Sequence, residues 1–315
     1  MIELMDTNSS AISAEMVAQR TRHGSPAMGM VMTMVIVVEE EGATEALAAA
    51  RQASHEHPAR VLGVILGDGR GSGTVNAQIG IGDEWTGEVA VIRLSGEVVK
   101  HADSVVAPLL LPDSPVVVWW PSDHPDDPAG DPIGALATRR ITDAASVRTG
   151  RANAVHRLCA AYAPGTTDLA WTRLTPWRAL LAAALDQDQL KVRSATVTAE
   201  KVSPSADLLS VWLADRLKVT VGRETSAGPG LTDVVLETAE GPIQISRKDG
   251  KLATFRTPGN PDRPMALKRR DVAELLSEEL RRLDEDDVYA ATARKLVKAE
   301  GAAGLRKAPR KAANK

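Results

Sequence analysis

Two almost uninterrupted apolar runs, Thr33–Val38 (TMVIVV) and Arg60–Leu66 (RVLGVIL), constrain this chain more than any other feature. A strand that is apolar at nearly every position has no face to give to water, so both faces must be covered. Between the runs, Thr44 can cap a helix that passes Ala50 and approaches His55, and Pro58 stops it. Strand, helix and strand at this spacing describe a right-handed parallel crossover. Glu88–Leu94 alternates as a half-buried strand, and Ser114–Trp120 (SPVVVWW) reads as another buried one.

The second half has a different rhythm. Arg151–Tyr162 reads as a helix with Val155, Leu158, Cys159 and Tyr162 on one face, and Pro164-Gly165 then breaks the chain. Helices are expected over Asp168–Leu174 and Pro176–Asp186, with Thr175-Pro176 as a stop and restart. A strand (Ser194–Lys201) and a helix (Ala206–Leu217) precede strands at Lys218–Glu224, Thr232–Thr238, Ile243–Arg247 and Leu252–Arg256. Glu240-Gly241 and Asp249-Gly250 mark hairpin turns. A last amphipathic helix runs from Asp271 to about Asp284. At 315 residues, and roughly 150 residues per domain, the chain has length for about two domains. The expectation is an α/β N-terminal domain (a mostly parallel sheet with flanking helices) followed by an α+β C-terminal domain. The boundaries are a polar segment 1–32, the α/β domain 33–165, the α+β domain 166–300 and a disordered basic tail 301–315.

Several function classes lose support at this level. Lys+Arg 38 against Asp+Glu 41 leaves a net charge of −3, with no basic excess to coat nucleic acid. The lone Cys159 cannot form an internal disulfide and reads as a core residue. Glu3 and Asp6 stand where a secretory signal needs bases, and the run Met28–Val38 is too short for a membrane span; a cytoplasmic protein is expected. The glycine-rich GDGRGSG (Gly67–Gly73) follows a strand, but Ser72 replaces the third glycine of a dinucleotide fingerprint and no helix follows. It reads as a hairpin loop. Asp123, His124, Asp126, Asp127 and Asp131 lie among prolines that resist wrapping one ion, so that loop reads as solvated. His55 and His57 do not share a helix face. No catalytic residue, cofactor site or metal site is expected.

Tryptophan and arginine stand out against 3% aromatic residues. Trp119 and Trp120 end a buried strand and point to opposite faces, while Trp171, Arg173, Trp177 and Arg178 crowd a helix restart. These residue types are the ones enriched at binding hot spots; equally, the rings can fill a core otherwise short of aromatics. The strings LLPDSPVVVWWP (Leu110–Pro121), DLAWTRLTPWR (Asp168–Arg178) and LLSEELRRLDEDDVYA (Leu275–Ala290) resemble the actinobacterial glucose-6-phosphate dehydrogenase assembly (OpcA) family. Ala137–Ala144 (ATRRITDA) is looser and keeps Arg139 and Asp143 of the family's pattern. The resemblance implies a non-catalytic partner that binds glucose-6-phosphate dehydrogenase and promotes its active, assembled form, with no nucleic acid or membrane involved. Redox control through cysteines, known in cyanobacterial relatives, does not transfer to a chain with one cysteine. Trp119, Trp120, Trp171, Arg173, Trp177 and Arg178 are the expected partner-binding residues. Two rivals stay open: a sugar-phosphate or nucleotide binder using Gly67–Gly73, Arg60 and Arg70, and a nucleic-acid binder using Lys268, Arg269, Arg270 and the tail.

Overall fold

The two apolar runs become adjacent, parallel, central strands of an eight-stranded sheet. A computed structural model describes residues 1–23, 29–82, 87–188 and 190–307. In chain order the elements begin β1 (Ile2–Leu4), α1 (Ser9–His23), β2 (Met32–Glu39), α2 (Glu40–Ser54), β3 (Ala59–Leu66), β4 (Thr74–Ile81) and β5 (Glu88–Ser95). They continue with α3 (Ala102–Val106), β6 (Val116–Trp119), β7 (Arg139–Thr142), α4 (Ala154–Ala160), β8 (Thr166–Asp168), α5 (Leu169–Thr172) and α6 (Thr175–Asp188). The rest comprises β9 (Ser194–Ala199), α7 (Pro204–Leu217), β10 (Thr220–Thr225), β11 (Leu231–Glu237), β12 (Pro242–Ser246), β13 (Leu252–Arg256), β14 (Arg263–Ala266), α8 (Val272–Leu280) and α9 (Asp287–Lys307).

The chain divides into two units. The first takes Met1–Arg151, Ala163–Arg173 and Arg270–Glu285; the second takes Ala152–Tyr162, Leu174–Arg269 and the chain from Asp286. A single cut near residue 165 was expected, and the structure differs because the Pro164-Gly165 break is a turn inside the first unit. Gly165 adopts φ +81° there, its carbonyl accepts from Arg140 N at 2.8 Å, and β8 then pairs in parallel with β7.

In the first unit the strand order is β1-β4-β5-β3-β2-β6-β7-β8. The six strands from β5 to β8 run parallel, and β4 and β1 add antiparallel at one edge. Both faces are covered, as the apolar runs require. Met34, Ile36 and Val38 of β2 pack with α2 and α8, while Val35 and Val37 pack in the opposite layer with Ile12 and Met16 of α1 and with α3. Gly63 lets α2 come close: a Cβ there would lie 2.8 Å from Leu47. The helix starts at Glu40 directly after the strand rather than at Thr44, since Glu40 and Glu41 in its first turn complement the helix dipole. GDGRGSG is not a hairpin loop. It joins β3 to β4, which are not neighbours, by crossing the end of β5, where Gly67 N donates to Leu94 O and Gly96 N to Asp68 O.

The second unit carries a six-stranded sheet, β10-β9-β11-β12-β13-β14, in which β9–α7–β10 is a parallel crossover and the remaining strands are antiparallel. This is the α+β arrangement expected of the second half. Val197, Val234, Leu236, Ile243, Ile245 and Phe255 form its buried face. Edge strand β14 was not anticipated, because Pro264 argues against a strand except at an edge. α9 was also unforeseen; Tyr289 meets Tyr162 edge-to-face at 5.9 Å and Lys295 reaches Asp215 of α7 at 2.7 Å. The expected disordered tail from residue 301 is therefore helical as far as Lys307, and Arg310, Lys311 and Lys315 lie outside the described residues.

Candidate functional site

Three of the strings that carry the sequence resemblance meet in one buried polar junction of the first unit. Arg139, at the start of β7, donates from Nη2 to Glu279 Oε2 of α8 at 2.7 Å and from Nη1 to Asp284 O at 2.8 Å. The same carboxylate accepts from Thr167 Oγ1 at 2.8 Å and Thr172 Oγ1 at 2.6 Å. A carboxylate and a guanidinium taken from water persist only with such saturation. Beside it, Arg173 forms a two-pronged pair with Asp143, 2.7 Å at each oxygen. Burial works against the charge of Arg173, but Asp143 outweighs it and raises the guanidinium pKa. Asp168 caps α5 through Ala170 N and also accepts from Thr142 Oγ1 and Ala144 N. Burial and the neighbouring Asp143 charge hold its carboxyl above the ordinary range. Arg270 closes the junction on Glu278 and on the Thr172 carbonyl.

A crevice lies at the carboxyl ends of β2 and β6, where the strand order reverses. Open α/β sheets usually take their ligands at this point. Here it holds a cavity of about 420 Å³ lined by Lys100, Asp103, Trp120, His124 and Asp131, and a second of about 320 Å³ lined by Glu45, Trp119 and Val272. Glu39, Ser122 and Arg148 line both. Arg148 is clamped by Asp123 at 2.7 Å, Glu41 at 2.9 Å and Glu39 at 2.5 Å, and Glu39 and Asp123 raise its pKa. Burial pushes Asp123 up, but its bonds from Arg148 prevail and it titrates below the usual range. A phosphate would need amides and a positive dipole at the start of α2. It would meet Glu39 and Glu41 instead, so the crevice is built against a pyrophosphate. Among the described residues, no group of three His, Cys, Asp or Glu side chains is placed to hold a metal ion.

The residues expected to bind a partner fall in different places. Trp119 and Trp120 do point to opposite faces, one into each core layer, with 0% and 2% of their surface exposed. Trp171, buried, and Arg173, half-buried, belong to the first unit; Trp177, buried, and Arg178, half-buried, belong to the second. All four rings are core residues, as their apolar area dictates in a chain with one Phe and two Tyr. Trp177 also meets a charge: the guanidinium of Arg247, itself buried, lies 5.0 Å from its ring centre and donates to the carbonyls of Leu267 and Leu231. Arg178 donates to Thr175 Oγ1 at 3.4 Å. Sequence reasoning missed Glu279, Arg148 and Arg247. The available signal was a charged residue inside an apolar string, and it is clear only for Glu279.

Comparison with known proteins decides the family. One model, described as the N-terminal domain of a glucose-6-phosphate dehydrogenase subunit, matches residues 50–159, and a second, described as the C-terminal domain of that subunit, matches residues 164–293. The chain belongs to the OpcA family. The N-terminal OpcA match covers β3 through α4, and the C-terminal match covers β8 through the first turns of α9. Both parts of the buried junction thus lie in OpcA-family sequence, Arg139 and Asp143 in one match and Asp168, Arg173 and Glu279 in the other. No curated relative matches the chain. Among solved structures, an oxidoreductase from Sinorhizobium meliloti is 10% identical, with 87% of this chain and 89% of that chain covered and a TM-score of 0.40. An E. coli structure described as trehalose-6-phosphate bound with UDP-2-fluoro glucose is 12% identical, with 62% and 66% covered and a TM-score of 0.26. Among the described residues no helix is long and apolar enough to cross a membrane.

Proposed function

We propose that this chain is a non-catalytic cytoplasmic partner of glucose-6-phosphate dehydrogenase that stabilises the enzyme's active, assembled form in the oxidative pentose phosphate pathway. The observation that carries the reading is the match of both OpcA domains, 50–159 and 164–293, in order along one chain. The chemistry of the crevice supports it. A site whose helix terminus presents Glu39 and Glu41 and whose Arg148 is already held by three carboxylates is poorly suited to a nucleotide or sugar phosphate. The GDGRGSG loop, with no helix after it, offers no alternative cradle.

The mechanism is linkage. A protein that binds the active state of an enzyme better than the inactive one shifts the population by that difference in affinity. Coupling of about 1–3 kcal/mol, equivalent to roughly 5- to 150-fold, is typical. In this reading Trp119, Trp120, Trp171, Arg173, Trp177 and Arg178 hold each unit in its binding-competent form from within, the rings being buried and Arg173 taken up by Asp143. The test mixes purified chain and dehydrogenase, then measures co-elution and the substrate dependence of NADPH formation. A lowered KM or raised kcat with co-elution is expected. Unchanged kinetics with no co-elution overturns the reading.

A further inference from the structure

One face of the second unit's sheet is buried, and the other is open. The open face is a shallow groove of about 940 Å³ that spans the sheet from Thr196 on β9 to Arg256 on β13. Its floor is hydroxyl- and amide-bearing: Thr196, Thr198, Gln244, Ser246 and Thr254 alternate with the core residues behind them. An antiparallel sheet with one wet face is ordinary. The charge is not. Glu224, Asp233, Glu237 and Asp249 line the groove against Lys248, while Arg256 is taken up by Asp262 at 2.7 Å. Three carboxylates are left in excess over the cations. Asp233 is held upright by Gln244 Nε2 at 2.8 Å, and Gln244 is held in turn by Arg256 Nη1 at 3.2 Å, so the central carboxylate is positioned by the sheet itself. Half-buried Val235 and the exposed Leu252, at 61%, add apolar contact area within the acidic rim.

We infer that this face is the docking surface for the dehydrogenase and that it receives a surface of the enzyme rich in lysine and arginine side chains. The inference rests on the function proposed above and adds the location and chemistry of the contact. Charge selects the occupant. A second copy of this chain laid face to face would set Asp233 and Glu237 against the same carboxylates, and like charges at an interface are rejected. A cationic surface instead finds acceptors along the whole groove and an apolar footing at Val235 and Leu252. Such a contact forms quickly and weakens as salt screens it.

The test uses full-length chain with intact dehydrogenase and reads affinity by sedimentation across a series of NaCl concentrations. The triple reversal Glu224→Lys, Asp233→Lys, Glu237→Lys should weaken binding at least about tenfold at low salt and flatten the salt dependence. The variant Lys248→Glu should tighten binding, an opposite effect that misfolding cannot mimic. A control with reversals at exposed acidic residues of the first unit, Glu97→Lys and Asp113→Lys, should bind like the unaltered chain. If the unaltered chain binds and the triple reversal binds equally well, this face is not the docking surface, although the proposed function stands. If the unaltered chain does not bind the enzyme, both fall. Loss of binding by the triple reversal without tightening by Lys248→Glu also overturns the inference.

Discussion

Replacing Glu279 with alanine should be among the most damaging single changes available to the first unit. The substitution removes the acceptor of three donors at once: Arg139 Nη2 and Thr167 Oγ1 on Oε2, and Thr172 Oγ1 on Oε1. Arg139 is 3% exposed and its Nε already lacks a hydrogen-bond partner, so its charge would be left with the Asp284 carbonyl alone. Breaking a buried pair in this way costs about 3–5 kcal/mol. At roughly 2–4 °C per kcal/mol for a domain of this size, the first unit should melt about 10 °C lower. Glu279→Gln is milder, about 1–2 kcal/mol, because the amide oxygen can stay with Arg139 and Thr167 while its NH2 meets a Thr172 hydroxyl able to rotate and accept. The double change Arg139→Met, Glu279→Leu removes both charges and should recover much of the loss, leaving about 1–2 kcal/mol for two stranded hydroxyls. Calorimetry gives the melting temperatures, and hydrogen exchange of α8 peptides shows whether that helix is released first. An alanine variant within about 1 kcal/mol of the unaltered chain, or a double variant no better than the alanine one, would refute the reasoning.

Other outcomes are expected at separate places. Arg148→Ala should lower the melting temperature of the first unit only slightly, because its side chain is 43% exposed, and melts in rising NaCl should show the difference shrinking. Arg247→Met in the second unit should cost about 2 kcal/mol in urea unfolding, since the carbonyls of Leu231 and Leu267 lose their donor and Trp177 its cation. Lys295 and Lys218 hold the Asp215 carboxyl down to about 2. Its folded pKa lies below the unfolded one, so its contribution is present above about pH 4 and is lost as pH falls towards 2, amounting to no more than about 1 kcal/mol at this partly exposed site. Asp215→Asn should remove that part of the acid dependence in pH-resolved melts. Gly63→Val should destabilise the first unit by about 1–3 kcal/mol by driving a Cβ to 2.8 Å from Leu47.

What could be read from sequence was whatever buries an entire local pattern. TMVIVV and RVLGVIL have only one way to hide both faces, and they became β2 and β3 in register, with Val35 opposite Leu62. The Glu240-Gly241 and Asp249-Gly250 turns likewise set β11 to β13 as consecutive antiparallel neighbours. Short elements stabilised by distant partners were not legible. β8 is three residues long and is defined by β7, and α8, legible as an amphipathic helix, packs with α2 and α5 of the first unit in a way its own residues do not announce. No window of neighbouring residues contains that information.

The tryptophans show where local reasoning about a site fails. Trp and Arg within a few residues have the composition of a hot spot and also that of a core corner, and composition cannot separate the two. The separation comes from their partners. Arg173 is answered by Asp143, thirty residues earlier, and Arg247, just past the end of β12, lies over Trp177 seventy residues before it. A guanidinium already held by a buried carboxylate or a ring has little left to offer another protein. The open acidic sheet face presents the reverse case: Asp233, Glu237 and Ser246 are ordinary as letters, and only strand register lines them up. A string can therefore identify the OpcA family through the residues that hold the fold closed, while the surface proposed to meet the enzyme is assembled from residues that form no string.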